Sequence, residues 1–266
     1  MPDVHSKIAP SSLERTILCP PSLRLNEQYP KEDTKYTVEG TIAHSVCEYA
    51  LYSKFNLDKS QAPDKKKVIE GVTGEMISYA MDYSNFIDGR VRRIVDQTDC
   101  LPSDVSVYPE LQVHMEKYIP LCFGTSDCVI MSPSRIAVVD FKYGVNKVPA
   151  TGSPLIAQKF GYSANVQLSA YALGAFHKLP DYRQNEIDLI EIYIYQPRAT
   201  GGEYFAGMGI KPKTLISFAD VAKEKVQLAL DGKGDLCAGS HCRFCKHKNK
   251  CTEYIAWACA NNPYAN

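Results

Sequence analysis

The chain is 266 residues long, 45% hydrophobic and 23% charged, a composition that suits one large globular domain or one domain with a small appendage. Thirty Lys and Arg balance thirty Asp and Glu, which disfavours a protein that coats nucleic acid by charge alone but leaves room for a local basic groove. No apolar run approaches the roughly 18 residues of a membrane span, and the first thirteen residues lack the apolar core of a signal peptide. The expectation is an intracellular, reducing compartment, where ten cysteines are thiols or metal ligands rather than disulfides.

Ser11 and Glu14 have the spacing of a capping box and predict a helix that carries Cys19 and runs to about Glu27, interrupted by Pro20-Pro21. A second helix opens at Glu39-Gly40-Thr41, with Ala43, Val46, Cys47 and Ala50 as its apolar stripe. Residues 54–66 read as a loop, and 68–95 as a long amphipathic helix with Val72, Met76, Tyr79, Tyr83, Phe86, Ile87, Val91 and Ile94 facing inward. From Val105 the period becomes two. Residues 105–115 and 118–123 read as paired strands, and 128–131 and 136–141 as two more. A helix follows over about 165–177, then a buried strand over 187–195, a strand over 204–210 and a helix over 217–230. The order implies a mixed α/β core flanked by helices.

The most informative segment runs from Gly124 to Lys142. A turn centred between Pro133 and Ser134 pairs Met131 with Ile136, Val129 with Val138, and Asp127 with Asp140. Directly opposed residues share a face, and Lys142, two residues beyond Asp140, shares it too. Carboxylates this close repel, and burial raises the cost of ionising both. A hard divalent cation, Mg²⁺ or Mn²⁺, relieves that cost and activates water against a phosphate. The alternative is a solvated Asp–Asp–Lys cluster on a surface hairpin. Apolar residues on both faces of the second strand, Ile136 and Val138 against Ala137, Val139 and Phe141, mark it instead as central.

The tail carries Cys237-x4-Cys242-x2-Cys245-x5-Cys251. The C-x2-C step places two thiolates on one tight turn, a strong metal-ligand signal. The fourth ligand is either local, Cys237, giving a small zinc knuckle, or distant, Cys19. His241, His247 and Cys259 are rival donors, whereas Cys47, Cys100, Cys122 and Cys128 read as core or incidental thiols.

Gly124-x-x-Asp127, Asp140-x-Lys142 and Gln167-Leu-Ser-Ala-Tyr171, arriving in that order after His44 in Gly40-Thr-Ile-Ala-His44, resemble the RecB-like branch of the PD-(D/E)XK nucleases. The resemblance covers roughly residues 19–251. It implies a restriction-endonuclease-like core with a central mixed sheet, and Mg²⁺ or Mn²⁺ held by His44, Asp127, Asp140 and the Phe141 carbonyl. Lys142 would assist the attacking water, and Gln167 and Tyr171 would contact the DNA backbone and support the lysine. Glu110 sits where related nucleases often carry an acidic residue on the first strand. The iron–sulfur subgroup, which includes CRISPR-adaptation nucleases and AddB-type recombination subunits, uses one N-terminal cysteine with a C-terminal C-x2-C-x5-C. That pattern maps onto Cys19, Cys242, Cys245 and Cys251 as ligands of a [4Fe–4S] cluster stapling the chain ends together.

Two parts are expected, a nuclease core over residues 1–236 and a cysteine segment over 237–266 that packs on the Cys19 region. The implied activity is metal-dependent DNA cleavage from ends, in the bacterial cytoplasm, by a phage- or prophage-encoded recombination enzyme. Implied partners are DNA that is single-stranded or has free ends, and recombination or single-strand-binding proteins. The competing class is a DNA-binding scaffold that keeps fold and cluster without catalysis, against which the intact Asp127, Asp140 and Lys142 set speaks. Arg90, Arg92, Arg93 and Lys65-Lys66-Lys67 are either a phosphate-binding rim or solvated helix faces.

Overall fold

A computed structural model describes residues 6–30, 34–64 and 71–261. The first helices are α1 (Pro10–Leu18), α2 (Ser22–Glu27), α3 (Lys35–Lys54) and α4 (Gly74–Thr98). The expected capping box at Ser11 does not form. Ala9 is the N-cap and Pro10 occupies the first helical turn, where its missing N–H costs nothing. Cys19 ends α1, and Pro20-Pro21 separates it from α2, so the expected single helix is two. Helix α3 begins four residues before the expected start at Glu39, because Thr34 and Thr37 cap each other. The Thr34 N–H donates to Thr37 Oγ1 (2.7 Å) and the Thr37 N–H to Thr34 Oγ1 (3.2 Å). A threonine at the third position does the work that a Glu or Gln does in the usual box. The expected helix over 68–95 begins at Gly74 behind the Thr73 cap, and residues 68–70 and Lys65-Lys66-Lys67 lie outside the described residues.

Five strands follow: β1 (Ser106–His114), β2 (Phe123–Met131), β3 (Arg135–Phe141), β4 (Leu189–Gln196) and β5 (Tyr204–Ile210). They lie side by side in chain order, antiparallel except for β3 and β4, which run parallel. That parallel step needs a crossover, supplied by α5 (Pro154–Phe160) and α6 (Val166–Lys178). The short α7 (Asp181–Gln184) leads into β4, and α8 (Pro212–Asp231) and α9 (Thr252–Ala260) close the chain. Among the described residues no helix is long and apolar enough to cross a membrane.

The expected strand over 118–123 is instead a tight turn as far as Cys122, and Phe123 opens β2. Tyr118 and Ile119 both donate to the Met115 carbonyl, Met115 donates to Cys122, and Leu121 adopts φ +57°. Ile119 and Cys122 are buried, so the segment looks apolar enough for a strand, but Pro120 and the turn bonds deny it a ladder. The partner of β1 is β2.

Strand β3 is central, with both faces apolar. Ile136 and Val138 join a core with Leu13 and Ile17 of α1, most of α6, and Phe218 and Ala222 of α8. Ala137, Val139 and Phe141 face a second core built from Met76, Tyr83 and Ile87 of α4 with Ala43, Cys47 and Leu51 of α3. Two helical layers thus sandwich one sheet. Gly174 permits α6 to lie close on the sheet, since a Cβ there would sit 2.6 Å from the Val113 Cβ.

Candidate active site

The ladder between β2 and β3 runs Met131↔Ile136, Ile130↔Ala137, Val129↔Val138 and Cys128↔Val139. It stops one step before Asp127 and Asp140, where the Asp127 side chain takes over. The Phe141 N–H donates to Asp127 Oδ2 at 2.7 Å. The other oxygen, Oδ1, lies 3.1 Å from His44 Nδ1. His44 projects from α3 and rests edge-on against the Phe141 ring, with centroids 5.3 Å apart. Hairpin and α3 therefore converge on one point.

Glu110 arrives from β1 by an unusual route. Pro109 pairs with Cys128 and Leu111 with Ser126, but Glu110, between them, adopts φ +44°. A left-handed glutamate inside a strand costs of order 1 kcal/mol or more and is held only where its surroundings over-determine it. Here it brings Glu110, His44 and Asp127 together, with one potential ligand atom from each within 4.8 Å of the others. No periodicity in the sequence signals that twist.

Asp140 is handled differently. It is 3% exposed, Lys142 Nζ lies 2.8 Å from its Oδ2, and Gln167 Nε2 donates to its Oδ1 at 3.4 Å. Among the described residues it stands outside the close triad. Gln167 also donates to the Tyr171 hydroxyl at 3.4 Å, so these two α6 residues, one turn apart, form a chain leading to Asp140. Tyr171 is buried, and Gly124 explains how. A Cβ at 124 would meet Pro10 Cγ at 3.1 Å and Tyr171 Cε1 at 3.2 Å, so glycine lets α1 and Tyr171 close over the strand without a shift of a few tenths of an ångström. His44 keeps 31% side-chain exposure and Lys142 25%, which leaves the centre open to solvent.

The electrostatics form a balanced set. Burial opposes a charged imidazole, but the Asp127 carboxylate outweighs it and lifts His44 to about 9. Burial likewise raises Asp127, yet His44, Lys142 and the Phe141 N–H together hold it below the ordinary carboxylate range. Burial pushes Asp140 up to about 6, against the pull of Lys142 and with the push of Asp127. Burial works against the Lys142 ammonium, but Asp140 and Asp127 keep it above its usual value. Glu110 is driven to about 8 by burial and then by Asp127. At neutral pH two cations, His44 and Lys142, thus offset two anions, Asp127 and Asp140, while Glu110 stays protonated.

The donor set suits a divalent ion, with hard carboxylate oxygens and one imidazole that Mn²⁺ accepts well. To act as ligands, His44 and Glu110 must each give up a proton, and those two losses match the +2 charge that arrives. Titration calorimetry with Mn²⁺ near pH 7, in buffers of different ionisation enthalpy, is therefore expected to find about two protons released per ion. Glu110→Gln should lower that count by about one. The same variant should gain stability at alkaline pH. The folded Glu110 value, about 8, lies above its unfolded value, so stability falls as pH rises from roughly 4.3, where the unfolded carboxyl ionises first, and the loss is complete above 8. Proton release unchanged in Glu110→Gln would remove Glu110 from the ligand set.

The sulfur site lies where the C-terminal end of α1 meets the tail. Cys19, Cys237, Cys242, Cys245 and Cys251 line one cavity together with Arg15. The chain ends meet there through direct bonds. Asn26 Nδ2 donates to Cys245 Sγ at 3.4 Å, Asn26 Oδ1 accepts from the Lys246 N–H at 2.8 Å, and Tyr29 Oη lies 3.1 Å from His247 Nδ1. Arg15 Nη1 donates to the Phe244 carbonyl at 3.1 Å. Burial lowers the Arg15 guanidinium pKa, and the nearby sulfurs of Cys245, Cys242 and Cys19 oppose that shift. Cys237 Sγ accepts from Lys159 Nζ at 3.3 Å, and Cys259 is exposed. Among the described residues no three cysteine sulfurs come within 4.8 Å of one another. A single tetrahedral zinc, with Zn–S bonds of about 2.3 Å, would draw them to roughly 3.8 Å. A cubane cluster, whose irons occupy separate corners, spreads its thiolates further apart.

Of the cations read either as a phosphate rim or as solvated helix faces, Arg90 is packed and Arg92 is a 75% exposed member of a surface pair. The Arg90 guanidinium lies over Phe86 and Tyr193, and Arg92 pairs with Asp88 at 2.8 Å.

A family described as "Protein of unknown function (DUF2800)" matches residues 5–261. Two crystal structures resemble the chain at low identity. A "Putative exonuclease" from Eubacterium rectale is 14% identical, covering 90% of this chain and 87% of that one, with a TM-score of 0.40. The protein SSO0001 is 11% identical, covering 92% and 96%, with a TM-score of 0.31. Both scores fall below one half, so neither neighbour bears on the chemistry.

Proposed function

We propose that this chain, which belongs to the DUF2800 family, is a divalent-metal-dependent DNA nuclease, an exonuclease that hydrolyses phosphodiesters from DNA ends in phage or bacterial recombination. The observation that carries this reading is the convergence of His44, Glu110 and Asp127 within 4.8 Å beside an Asp140–Lys142 pair. Mg²⁺ or Mn²⁺ would be held by His44, Glu110 and Asp127, with Asp140 and the Phe141 carbonyl completing the set. When bound, it would acidify a water and neutralise charge on the scissile phosphate.

The chain's own residues do the rest. Phe141 fixes His44 with its ring and Asp127 with its N–H. Gln167, steadied by Tyr171, orients Asp140. Asp140 in turn aims the Lys142 ammonium. Because Lys142 keeps its proton at neutral pH, its Nζ donates hydrogen bonds to phosphate and water oxygens instead of accepting a proton. Cys19, Cys242, Cys245 and Cys251 would hold a [4Fe–4S] cluster that ties the chain ends around the core, with Arg15 offsetting its negative charge.

Anaerobically purified protein, given end-labelled linear and covalently closed DNA with Mn²⁺, Mg²⁺ or EDTA, tests the proposal. Metal-dependent loss of linear DNA alone is the expected result. Cutting of closed circles would make the enzyme an endonuclease. No cleavage, with wild type and Asp140→Ala binding DNA equally, would replace catalysis with a scaffold role.

A further inference from the structure

Phe244 stands between Cys242 and Cys245 and is 75% exposed. Singly exposed apolar side chains are common on protein surfaces; what sets this ring apart is its position. Hydrogen bonds hold the backbone on either side of it. The Cys242 N–H donates to the Gly239 carbonyl (3.0 Å), the Cys245 N–H to the Cys242 carbonyl (2.9 Å), and the Phe244 carbonyl accepts from Arg15. The Arg243 guanidinium lies 5.2 Å over the ring.

Three further facts identify the occupant. Phe244 and Arg243 form one wall of a cavity of about 220 Å³ whose opposite walls are Pro10 and Glu14 of α1 and Gln167 of α6. Gln167 also donates to Asp140 Oδ1 at 3.4 Å, so one wall of the cavity is shared with the candidate centre. Residues 237–252 carry Arg243, Lys246, Lys248 and Lys250 without a single carboxylate, in a chain whose net charge is zero. An exposed aromatic ring beside a guanidinium, set in a basic segment, matches a polyanion whose flat faces are unpaired. Within a duplex those faces are already stacked.

We propose that Phe244 and Arg243 form a single-strand DNA subsite leading into the centre, with a base stacked on the Phe244 ring and the adjoining phosphate held by Arg243. The cysteine segment then guides substrate as well as joining the chain ends. The subsite rests on the nuclease reading, since it assigns the strand's path to that centre. Glu14 on the far wall repels phosphate and keeps the backbone on the Arg243 side.

The test measures binding of two labelled oligonucleotides of equal length, one of thymidines and one abasic, by fluorescence anisotropy in EDTA. Wild type is expected to prefer the thymidine oligomer by about tenfold, within the range of one base–aromatic stack. Phe244→Ala should erase that preference and leave abasic binding and the melting temperature unchanged, and Phe244→Trp should restore it. Arg243→Ala should weaken both oligomers alike and reduce the salt slope by about one. A preference that survives in Phe244→Ala would overturn the subsite while leaving the nuclease reading intact. Failure of wild type to bind either oligomer would overturn both.

Discussion

Lys142→Gln is expected to lower metal-dependent DNA cleavage by about a thousandfold, within the range for removing a charge-stabilising group at a reacting centre. The Nζ lies 2.8 Å from Asp140 Oδ2 with the side chain 25% exposed, close enough to be aimed and open enough to meet substrate. Its ammonium stays charged because Asp140 and Asp127 overcome the penalty of burial. Glutamine keeps most of the stem and can still bond to Asp140, but it brings no charge to the phosphate. Asp140, already pushed up to about 6 by burial, loses the cation that pulls it down and rises further. The variant should therefore show its smallest deficit at alkaline pH, where Asp140 ionises again. The triad of His44, Glu110 and Asp127 is untouched, so Mn²⁺ should still release protons on binding and still raise the melting temperature. Single-turnover cleavage of end-labelled DNA beside that calorimetry separates the two effects. Full activity would sink the assignment, and loss of Mn²⁺ binding along with activity would mean that Lys142 shapes the metal site rather than the chemistry.

The parts of this centre legible in the sequence are those fixed by short-range rules. The turn at 132–135 and the alternation on either side of it determine the β2–β3 register, and two-sided apolarity makes β3 central. Gln167 and Tyr171 fall on one helical face because they are one turn apart. Glu110 was only loosely legible, since its place depends on a left-handed residue inside a strand, which tertiary contacts impose against local preference. Arg90, open to two readings in the sequence, shows the converse. Arg90 looks free in a polar helical pattern, yet two aromatic rings from α4 and β4 cover it. The strand expected over 118–123 failed because burial of Ile119 and Cys122 resembles alternation whether the backbone is extended or turned. Likewise α5 leaves no pattern in the sequence, since seven residues behind the Ser153 cap are too few to show a period.

Cys19→Ser is expected to lower the melting temperature by about 10–20 °C and to remove any brown chromophore from anaerobically purified protein. Cys19 ends α1 and lines the same cavity as Cys242, Cys245 and Cys251, and Asn26 already bonds Cys245 across 219 residues of chain. A covalent tie over a loop of that length removes about 5 kcal/mol of unfolded-chain entropy in the simple closure model. At roughly 2–4 °C per kcal/mol for a chain of this size, that gives the stated range. The direct bonds of Arg15, Asn26 and Tyr29 to the tail persist in the variant, so the fold should survive at low temperature. Exposed Cys259 supplies the control, since Cys259→Ser should change neither melting nor colour. Cys237→Ser distinguishes the metal. A zinc knuckle closed by Cys237 would lose its ion and its stability there while Cys19→Ser stayed near wild type. A cluster ligated by Cys19 gives the opposite order, because the Cys237 thiol then serves in local hydrogen bonds such as that from Lys159. Loss of stability in neither variant would leave the two ends held by hydrogen bonds and packing alone.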